Sequence, residues 1–262
     1  MGGATIQRMT HRIDDVPEED LLYHYTDSAG LIGIITSSTL WATNAAFLND
    51  TQEMRYGAEL IAKAIERERV LRFRNSIGGL TDTALRRAVQ IVTYLEERYL
   101  QSRVSYGPYI ACFSRNRDDL GQWRGYAQAG YSIGFDRSTF INTELLPPRT
   151  NPIVKPVQYG NFAEDIAYKY AMSILDLVST VPGDDELSDR QLYDAVQPAD
   201  EWIPQLKHGA FQAESEERLW VDAIRDAQFR PSQIGLVPYK TVPINIHAIR
   251  TMRFSHQAGA CR

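Results

Sequence analysis

Short strand-like segments alternate with long helical ones in this chain, and that alternation is the strongest constraint on its fold. The strand-like segments are rich in aromatic and β-branched side chains and are bounded by glycine, proline or polar turns, which is typical of β-strands. Between them, residues 53–104 and 162–208 carry apolar side chains at helical spacing. The predicted strands are residues 21–26, 40–43, 109–114 and 131–136.

A single α+β domain spanning residues 1–262 accounts for this order. The chain has 262 residues, of which 44% are hydrophobic, and this is enough to bury a sizeable core. No linker rich in proline, serine or glycine divides it into equal halves. The two helical segments are therefore interpreted as insertions, at about residues 53–104 and 162–208, between strands of one sheet.

Local signals refine the order of elements. Asp27 precedes an apolar-periodic segment and so predicts an N-capped helix after the first strand. Pro152 and Pro156 restrict the segment around them to an edge strand. The remaining predictions are a turn at 47–50, helices at 120–128 and 189–206, and strands at 211–221 and 234–254.

Charge and cysteine content exclude several classes of protein. The 28 Lys and Arg against 33 Asp and Glu give a net charge of -5, which provides no general attraction to nucleic acid or to an anionic membrane. Cys112 and Cys261 form neither a disulfide framework nor a zinc-ligand spacing. The first twenty residues lack an apolar core, and no apolar run approaches the ~20 residues of a membrane span. We therefore expect a cytoplasmic protein with no metal and no membrane partner.

Two acidic side chains late in the chain are the candidate catalytic groups. If residues 211–222 are extended, Glu214, Glu216 and Arg218 fall on one face of a strand. Adjacent carboxylates suit a reaction that passes through an oxocarbenium-like ion at a ribose carbon. The alternative is a solvated helix in which Glu214 and Arg218 form an i,i+4 ion pair.

A histidine at the end of the first predicted strand is the candidate ligand-binding group. His24 shares a strand face with Thr26, while Tyr25 lies on the opposite, more apolar face. A histidine in this position can hydrogen-bond the hydroxyls of a ligand. The alternative is a histidine whose hydrogen bonds are satisfied within the core or a turn.

A strand-to-helix corner supplies hydroxyl, guanidinium and aromatic groups. Ser114 and two arginines, Arg115 and Arg117, follow a strand and precede Trp123, Arg124 and Tyr126. Arginines suit a pyrophosphate, and aromatic rings suit nicotinamide or adenine. Trp123 and Tyr126 could instead be core residues, and helix geometry predicts Trp123 as the buried anchor with Tyr126 facing the cleft.

A competing motif is Gly130-Tyr131-Ser132-Ile133-Gly134, which matches the Gly-x-Ser-x-Gly pattern of a serine-hydrolase nucleophile elbow. An elbow needs a strand before the serine and a helix after it. Residues 131–136 instead continue as a strand pattern beyond Ser132. The serine hydrolase therefore remains an alternative that its local context disfavours.

Seven short motifs follow one another between about residues 20 and 250. They are His24-Tyr25-Thr26, Leu40-Trp41-Ala42-Thr43-Asn44, Leu48-Asn49-Asp50, Cys112-Phe113-Ser114, Gln122-Trp123 with Tyr126, Gly134-Phe135-Asp136, and Glu214-x-Glu216-x-Arg218. Taken as an ordered set, they resemble a large prokaryotic family of domains of unknown function, several members of which are associated with abortive infection and phage defence. That family in turn resembles, more remotely, the ADP-ribosyltransferases of the His-Tyr-Glu type, including the DarT-like DNA-modifying toxins.

This resemblance implies an ADP-ribosyltransferase-like split sheet with NAD in its cleft. It matches His24 to the histidine that binds the adenosine ribose, Tyr126 to the aromatic that packs on nicotinamide, and Glu216 to the catalytic glutamate. Trp123 competes for the stacking role, and Glu217 stands where the family shows an aromatic, so Glu214 and Glu216 both remain candidates for catalysis. The other residues expected to bind NAD are Tyr25, Thr26, Thr43, Asn44, Ser114 and Arg124.

The implied function is an NAD-dependent ADP-ribosyltransferase, or an NAD glycohydrolase, with NAD as substrate. Its acceptor would be a macromolecule, either protein or nucleic acid, and its role that of a toxin or a phage-defence effector. An antitoxin or immunity protein is a possible partner. The alternatives are a catalytically silent module that binds NAD or another nucleotide, and the serine hydrolase based on Ser132.

Overall fold

The computed structural model describes residues 16–48, 51–75, 81–101, 108–127, 130–146, 150–183, 185–221, 227–232 and 235–255. Several predictions fall wholly or partly outside this range, namely those on the N-terminal residues, on the second half of the turn at 47–50 and on Cys261. The described helices are α1 Ser28–Ser37, α2 Thr51–Asn75, α3 Asp82–Glu96, α4 Leu120–Tyr126, α5 Asn161–Thr180, α6 Asp189–Val196 and α7 Ala199–Trp202. The described strands are β1 Leu21–Thr26, β2 Thr39–Asn44, β3 Tyr109–Ser114, β4 Tyr131–Asp136, β5 Ile153–Pro156, β6 Gln158–Tyr159, β7 Leu206–Lys207, β8 Glu216–Val221, β9 Gln228–Ser232, β10 Gly235–Pro243 and β11 Ile249–Phe254.

The first four predicted strands and the capped helix are confirmed. The Asp27 carboxylate accepts a hydrogen bond from the Gly30 amide at 2.7 Å and so begins α1. The predicted strand at 211–221 is wrong in its first half, since Gly209–Glu214 forms 3-10 turns and Ser215 adopts a left-handed φ of 44° before β8. The predicted helix at 189–206 breaks into α6, α7 and the start of β7, and β9 was not predicted.

The strand β3 lies at the centre of the sheet, and its neighbours β1, β2 and β8 all run antiparallel to it. β8 pairs along its whole length, from Tyr109↔Val221 to Ser114↔Glu216. Two strands share the opposite edge of β3. β1 pairs with it only at Ser114, and β2 pairs with it only at Ile110 and Tyr109. In the described part of the chain, no strand pairs with positions 111–113 on that edge. β1 and β2 therefore diverge, and α1 connects them.

Further strands widen the sheet on both sides of this opening. The continuous order is β11-β4-β1-β3-β2-β10-β9, and β5 extends the β8 branch. β5 has β8 as its neighbour and lies at the edge, as its flanking prolines predicted. A separate parallel pair joins β6 to β7.

The two helical insertions pack together as one layer. α2 packs against α3 and α5, and α3 also contacts α6. Their core includes Ile61, Ile91 and Ile174, and it is continuous with Ile110 of β3. The other face of the sheet covers a second core, which includes Phe113, Phe135 and Phe140. Among the described helices, none is long and apolar enough to span a membrane.

Hydrogen bonds from one buried arginine link the two helical insertions. Arg87 of α3 is 3% exposed, and its guanidinium donates to backbone carbonyls beyond the end of α5. The distances are 2.8 Å to Val181, 2.9 Å to Gly183 and 3.0 Å to Asp185. A cation at this end of a helix also interacts favourably with the helix dipole.

We predict that Arg87→Met lowers the free energy of unfolding by at least about 2 kcal/mol, because the charged hydrogen bonds from a buried guanidinium to several backbone carbonyls are lost. Denaturant unfolding followed by circular dichroism measures the change. Arg86→Met is the matched control on the neighbouring exposed position, and its effect should stay within about 0.5 kcal/mol. Equal stabilities of the two variants would contradict this role for Arg87.

Candidate active site

A cavity of about 510 Å³ opens where β1 and β2 diverge. The middle of β3, which lacks a partner on this edge among the described strands, lines the cavity together with residues of α1, α4 and β8. This volume lies within the roughly 300–1,000 Å³ range of small-molecule sites. Its polar and aromatic lining residues are His24, Tyr25, Thr26, Asp27, Thr39, Trp41, Thr43, Phe47, Cys112, Gln122, Tyr126, Glu216, Arg218 and Arg230.

His24 lies in the opening itself. Its Nδ1 donates to the carbonyl oxygen of Cys112 at 2.9 Å, and its ring packs against Phe113 with centroids 5.5 Å apart. Burial lowers the pKa of His24, which the bond to the Cys112 carbonyl only partly offsets. The imidazole is therefore neutral near pH 7, with the proton on Nδ1, so Nε2 is left as a hydrogen-bond acceptor.

Tyr25 and Thr26 secure the neighbouring segments. The Tyr25 hydroxyl donates to the Asn116 carbonyl at 2.7 Å and accepts from the Asp119 amide at 3.0 Å, so it holds the loop that leads into α4. Thr26 lies where the chain packs most closely, since a Cβ on Gly130 would come within 2.1 Å of the Thr26 carbonyl oxygen. These contacts hold one side of the cavity in place.

Glu216 is the carboxylate that lines the cavity. Arg218 binds it with two hydrogen bonds, from Nε to Oε1 at 2.7 Å and from Nη2 to Oε2 at 2.9 Å. Lys207 Nζ donates to Oε2 at 3.1 Å. Burial raises the pKa of Glu216, but the charge and hydrogen bonds of Arg218, together with Lys207, outweigh it and lower that pKa to about 2. The carboxylate is therefore ionised throughout the physiological range.

Glu214 lies at the end of the 3-10 turns and is absent from the cavity lining. Its Oε2 accepts from Lys207 Nζ at 2.6 Å, so one buried lysine joins both acidic residues. The alternative of a helical Glu214–Arg218 pair is wrong, because Arg218 is on β8 and binds Glu216 beside it. The sequence interpretation missed Lys207, which it placed at the end of a helical segment.

The two aromatic residues of α4 occupy the positions predicted for them. Trp123 is 9% exposed, and its Nε1 donates to Asp118 at 2.8 Å while its ring meets Tyr25 edge-on. Tyr126 is 44% exposed and lines the cavity. Burial raises the pKa of Tyr126, and the charges of Cys112 and Glu216 raise it further, so its hydroxyl lies close to both groups.

Asn44, Ser114, Trp123 and Arg124 do not line the cavity, although the sequence predicted them as NAD-binding residues. The Asn44 side chain caps the next turn by accepting from the Ala46 amide at 3.0 Å. The Ser114 hydroxyl donates to the Glu214 carbonyl at 2.7 Å, and Arg124 is exposed on α4. These hydrogen bonds explain why the first two residues are buried and turned away from the cavity.

The arginines of the cavity also differ from those that the sequence predicted. Arg115 donates to Glu217 at 2.6 Å, and Glu217 alternates with Glu216 along β8, so this pair lies on the opposite face of the sheet. The cavity instead receives Arg218 and Arg230. Arg218 lies beside Glu216, as the strand pattern predicted, whereas Arg230 reaches the cavity only through the pairing of β9, β10 and β2, which could not be read from local sequence.

The Gly-x-Ser-x-Gly motif has a packing explanation. Ser132 is 1% exposed and is the second residue of β4, where it pairs with Tyr25 of β1 and Arg253 of β11, and β4 continues to Asp136. A Cβ on Gly134 would lie 2.4 Å from Thr251, and Gly130 packs closely on Thr26. Both glycines therefore permit close contacts between strands, and no strand-to-helix turn follows Ser132 in the described residues.

Comparison of the chain with protein-family models, with curated proteins and with solved structures gives no match.

We predict that Trp123→Ala lowers the free energy of unfolding by ~3 to 5 kcal/mol, because it removes a large buried side chain. Tyr126→Ala should cost much less, since the phenol is half exposed. Thermal melting and denaturant titration of the two variants measure the difference. A Trp123→Ala protein as stable as the Tyr126→Ala protein would contradict the role of Trp123 as the buried anchor, and a stable, inactive Trp123→Ala protein beside an active Tyr126→Ala protein would mean that the two roles are exchanged.

Proposed function

We propose that this protein is an NAD-dependent ADP-ribosyltransferase, or an NAD glycohydrolase, that uses the cleft between β1 and β2. The observation that carries the proposal is that His24, Tyr126 and Glu216 all line one cavity. These three residues are the ones that the family resemblance matches to NAD-binding and catalytic roles. They come from distant parts of the chain, on β1, α4 and β8.

The reaction breaks the glycosidic bond between nicotinamide and the C1 carbon of its ribose. Nicotinamide leaves with the bonding electrons, and the ribose carbon acquires oxocarbenium character. An acceptor nucleophile, or water in the glycohydrolase, then bonds to that carbon and loses its proton. An ionised carboxylate next to the ribose stabilises this transition state electrostatically and accepts a hydrogen bond from a hydroxyl. Glu216, with its low pKa, meets this requirement.

The remaining roles follow from the local chemistry. The Nε2 atom of the neutral His24 can accept a hydrogen bond from a ribose hydroxyl, while Nδ1 continues to donate to the Cys112 carbonyl oxygen. The half-exposed ring of Tyr126 can pack on the flat nicotinamide near Glu216. In this proposal, the divergence of β1 and β2 is the opening of an ADP-ribosyltransferase-like split sheet.

The cellular part of the proposal rests on the family resemblance. We propose a cytoplasmic toxin or phage-defence effector whose acceptor is a protein or a nucleic acid, with an antitoxin or immunity protein as a possible partner. The acidic net charge of -5 favours an acceptor that is recognised at a local site over general affinity for nucleic acid.

A catalytically silent module that binds NAD or another nucleotide is the second candidate, and one observation favours it. Both oxygens of Glu216 already accept hydrogen bonds from cations, Oε1 from Arg218 and Oε2 from Arg218 and Lys207. A silent module would bind NAD and release no nicotinamide. Calorimetric titration with NAD, combined with an assay of free nicotinamide, separates the two candidates.

We predict that Glu216→Gln reduces nicotinamide release by roughly 10²- to 10³-fold while NAD binding changes little, because the lost charge acts on the transition state. Glu214→Gln is the matched control, since it removes a second carboxylate from Lys207 outside the cavity, and its effect should be milder. Melting temperatures of both variants show whether each remains folded. Wild-type turnover in a folded Glu216→Gln protein would overturn the assignment, and the reverse ranking would transfer the catalytic role to Glu214.

A further inference from the structure

The end of the cavity farthest from Glu216 has a second polar and aromatic group. Glu216 pairs with Ser114 at one end of β3, whereas Thr43 pairs with Ile110 near the other, four residues away and therefore about 13 Å along the strand. Arg230 reaches this end from β9, and its Nη2 donates to the Thr43 hydroxyl at 3.3 Å.

Aromatic rings support this arginine. Its guanidinium carbon lies 5.8 Å from the centroid of the Trp41 ring, within the range of a cation–π contact. Trp41 in turn contacts Tyr239 with ring centroids 4.5 Å apart, and the Tyr239 hydroxyl donates to Gln228 at 2.9 Å. Trp41 nevertheless remains 49% exposed, so about half of its surface is accessible beside the arginine.

Arg230 differs from the other charged residues of the cavity lining in its partners. Asp27 caps α1, and Glu216 and Arg218 bind each other. The hydrogen bond described for Arg230 goes to a neutral hydroxyl, and its buried Nε has no hydrogen-bond partner among the residues that the structure describes. Burying an N–H donor of a charged group costs free energy unless an acceptor forms a hydrogen bond with it.

We infer that Arg230 binds the diphosphate of a nucleotide, with Thr43 and Trp41 holding the guanidinium in position. The planar guanidinium matches phosphate oxygens with paired hydrogen bonds, and the oxygens would supply the acceptor that Nε lacks. The exposed part of Trp41 provides an apolar surface next to the phosphates for a base or ribose. Only the identity of the nucleotide as NAD rests on the proposed function.

Calorimetry with ADP and with adenosine as probes tests this inference, because the two differ only in the diphosphate. Arg230→Met should weaken ADP binding by about tenfold or more and leave adenosine binding unchanged. Arg230→Lys keeps the positive charge but loses the paired hydrogen-bond geometry, so its affinity for ADP should lie between those of the wild-type protein and Arg230→Met. Arg190→Met, which removes a remote arginine from α6, is the matched control and should bind ADP as the wild-type protein does.

Several results would overturn the inference. Wild-type protein that binds no ADP, or an Arg230→Met variant with unchanged ADP affinity, would exclude a diphosphate site at Arg230. Equal losses for ADP and adenosine would show that Arg230 only maintains the shape of the cavity. Arg230-dependent binding of a single-stranded oligonucleotide that ADP does not displace would assign the arginine to a nucleic acid.

This experiment can fail or succeed independently of the proposed function, because ADP contains no nicotinamide bond. Arg230-dependent ADP binding by a protein that never releases nicotinamide would leave the diphosphate site standing and reject NAD cleavage. Nicotinamide release that is insensitive to Arg230→Met, together with unchanged ADP affinity, would reject the diphosphate site and leave NAD cleavage standing.

Discussion

One edge of β3 is shared by two strands that cannot both pair along its full length. β1 pairs with Ser114 at one end of β3, and β2 pairs with Ile110 and Tyr109 at the other. The backbone N–H and C=O groups between these positions therefore need other hydrogen-bond partners on this edge. The Cys112 carbonyl accepts from the His24 side chain there. A backbone hydrogen bond that would belong to a sheet ladder is thus replaced by one from a histidine, and this fixes its ring and tautomer.

The second constraint is the charge balance on β8. Glu216 and Arg218 are two residues apart on one face of the strand, which leaves them side by side, and Lys207 approaches from β7 to contact both Glu216 and Glu214. Two cations therefore face two carboxylates, which explains how a carboxylate that is 6% exposed stays ionised. Tyr159 adds to this fixed geometry, because its hydroxyl accepts from the Glu216 amide at 2.9 Å.

Local sequence patterns predicted the parts of the fold that depend on local physics. The strand at 109–114, the Asp27 cap and the burial of Trp123 follow from side-chain periodicity and capping, and all three are confirmed. Ser215 was missed because a left-handed serine carries no glycine or asparagine signal, and without that break the strand was started too early.

Long-range contacts could not be predicted in the same way. Arg230 and Thr43 are 187 positions apart, and only the pairing of β2, β10 and β9 brings them to one cavity. Lys207 was missed because its segment has helical spacing, whereas tertiary pairing with β6 makes it a strand. The sequence predicted Glu216 and Tyr126 as site residues and placed Arg218 on the same strand face as Glu216, but it missed Lys207 beside Glu216 and Arg230 at the far end of the cavity.

The most direct test of the account is to incubate the purified protein with a cell extract and NAD that is labelled in the adenine ring. The account predicts stoichiometric release of free nicotinamide, with the label in protein, DNA or RNA for a transferase, or in free ADP-ribose for a glycohydrolase. Intact NAD that binds the protein without any release of nicotinamide would contradict it.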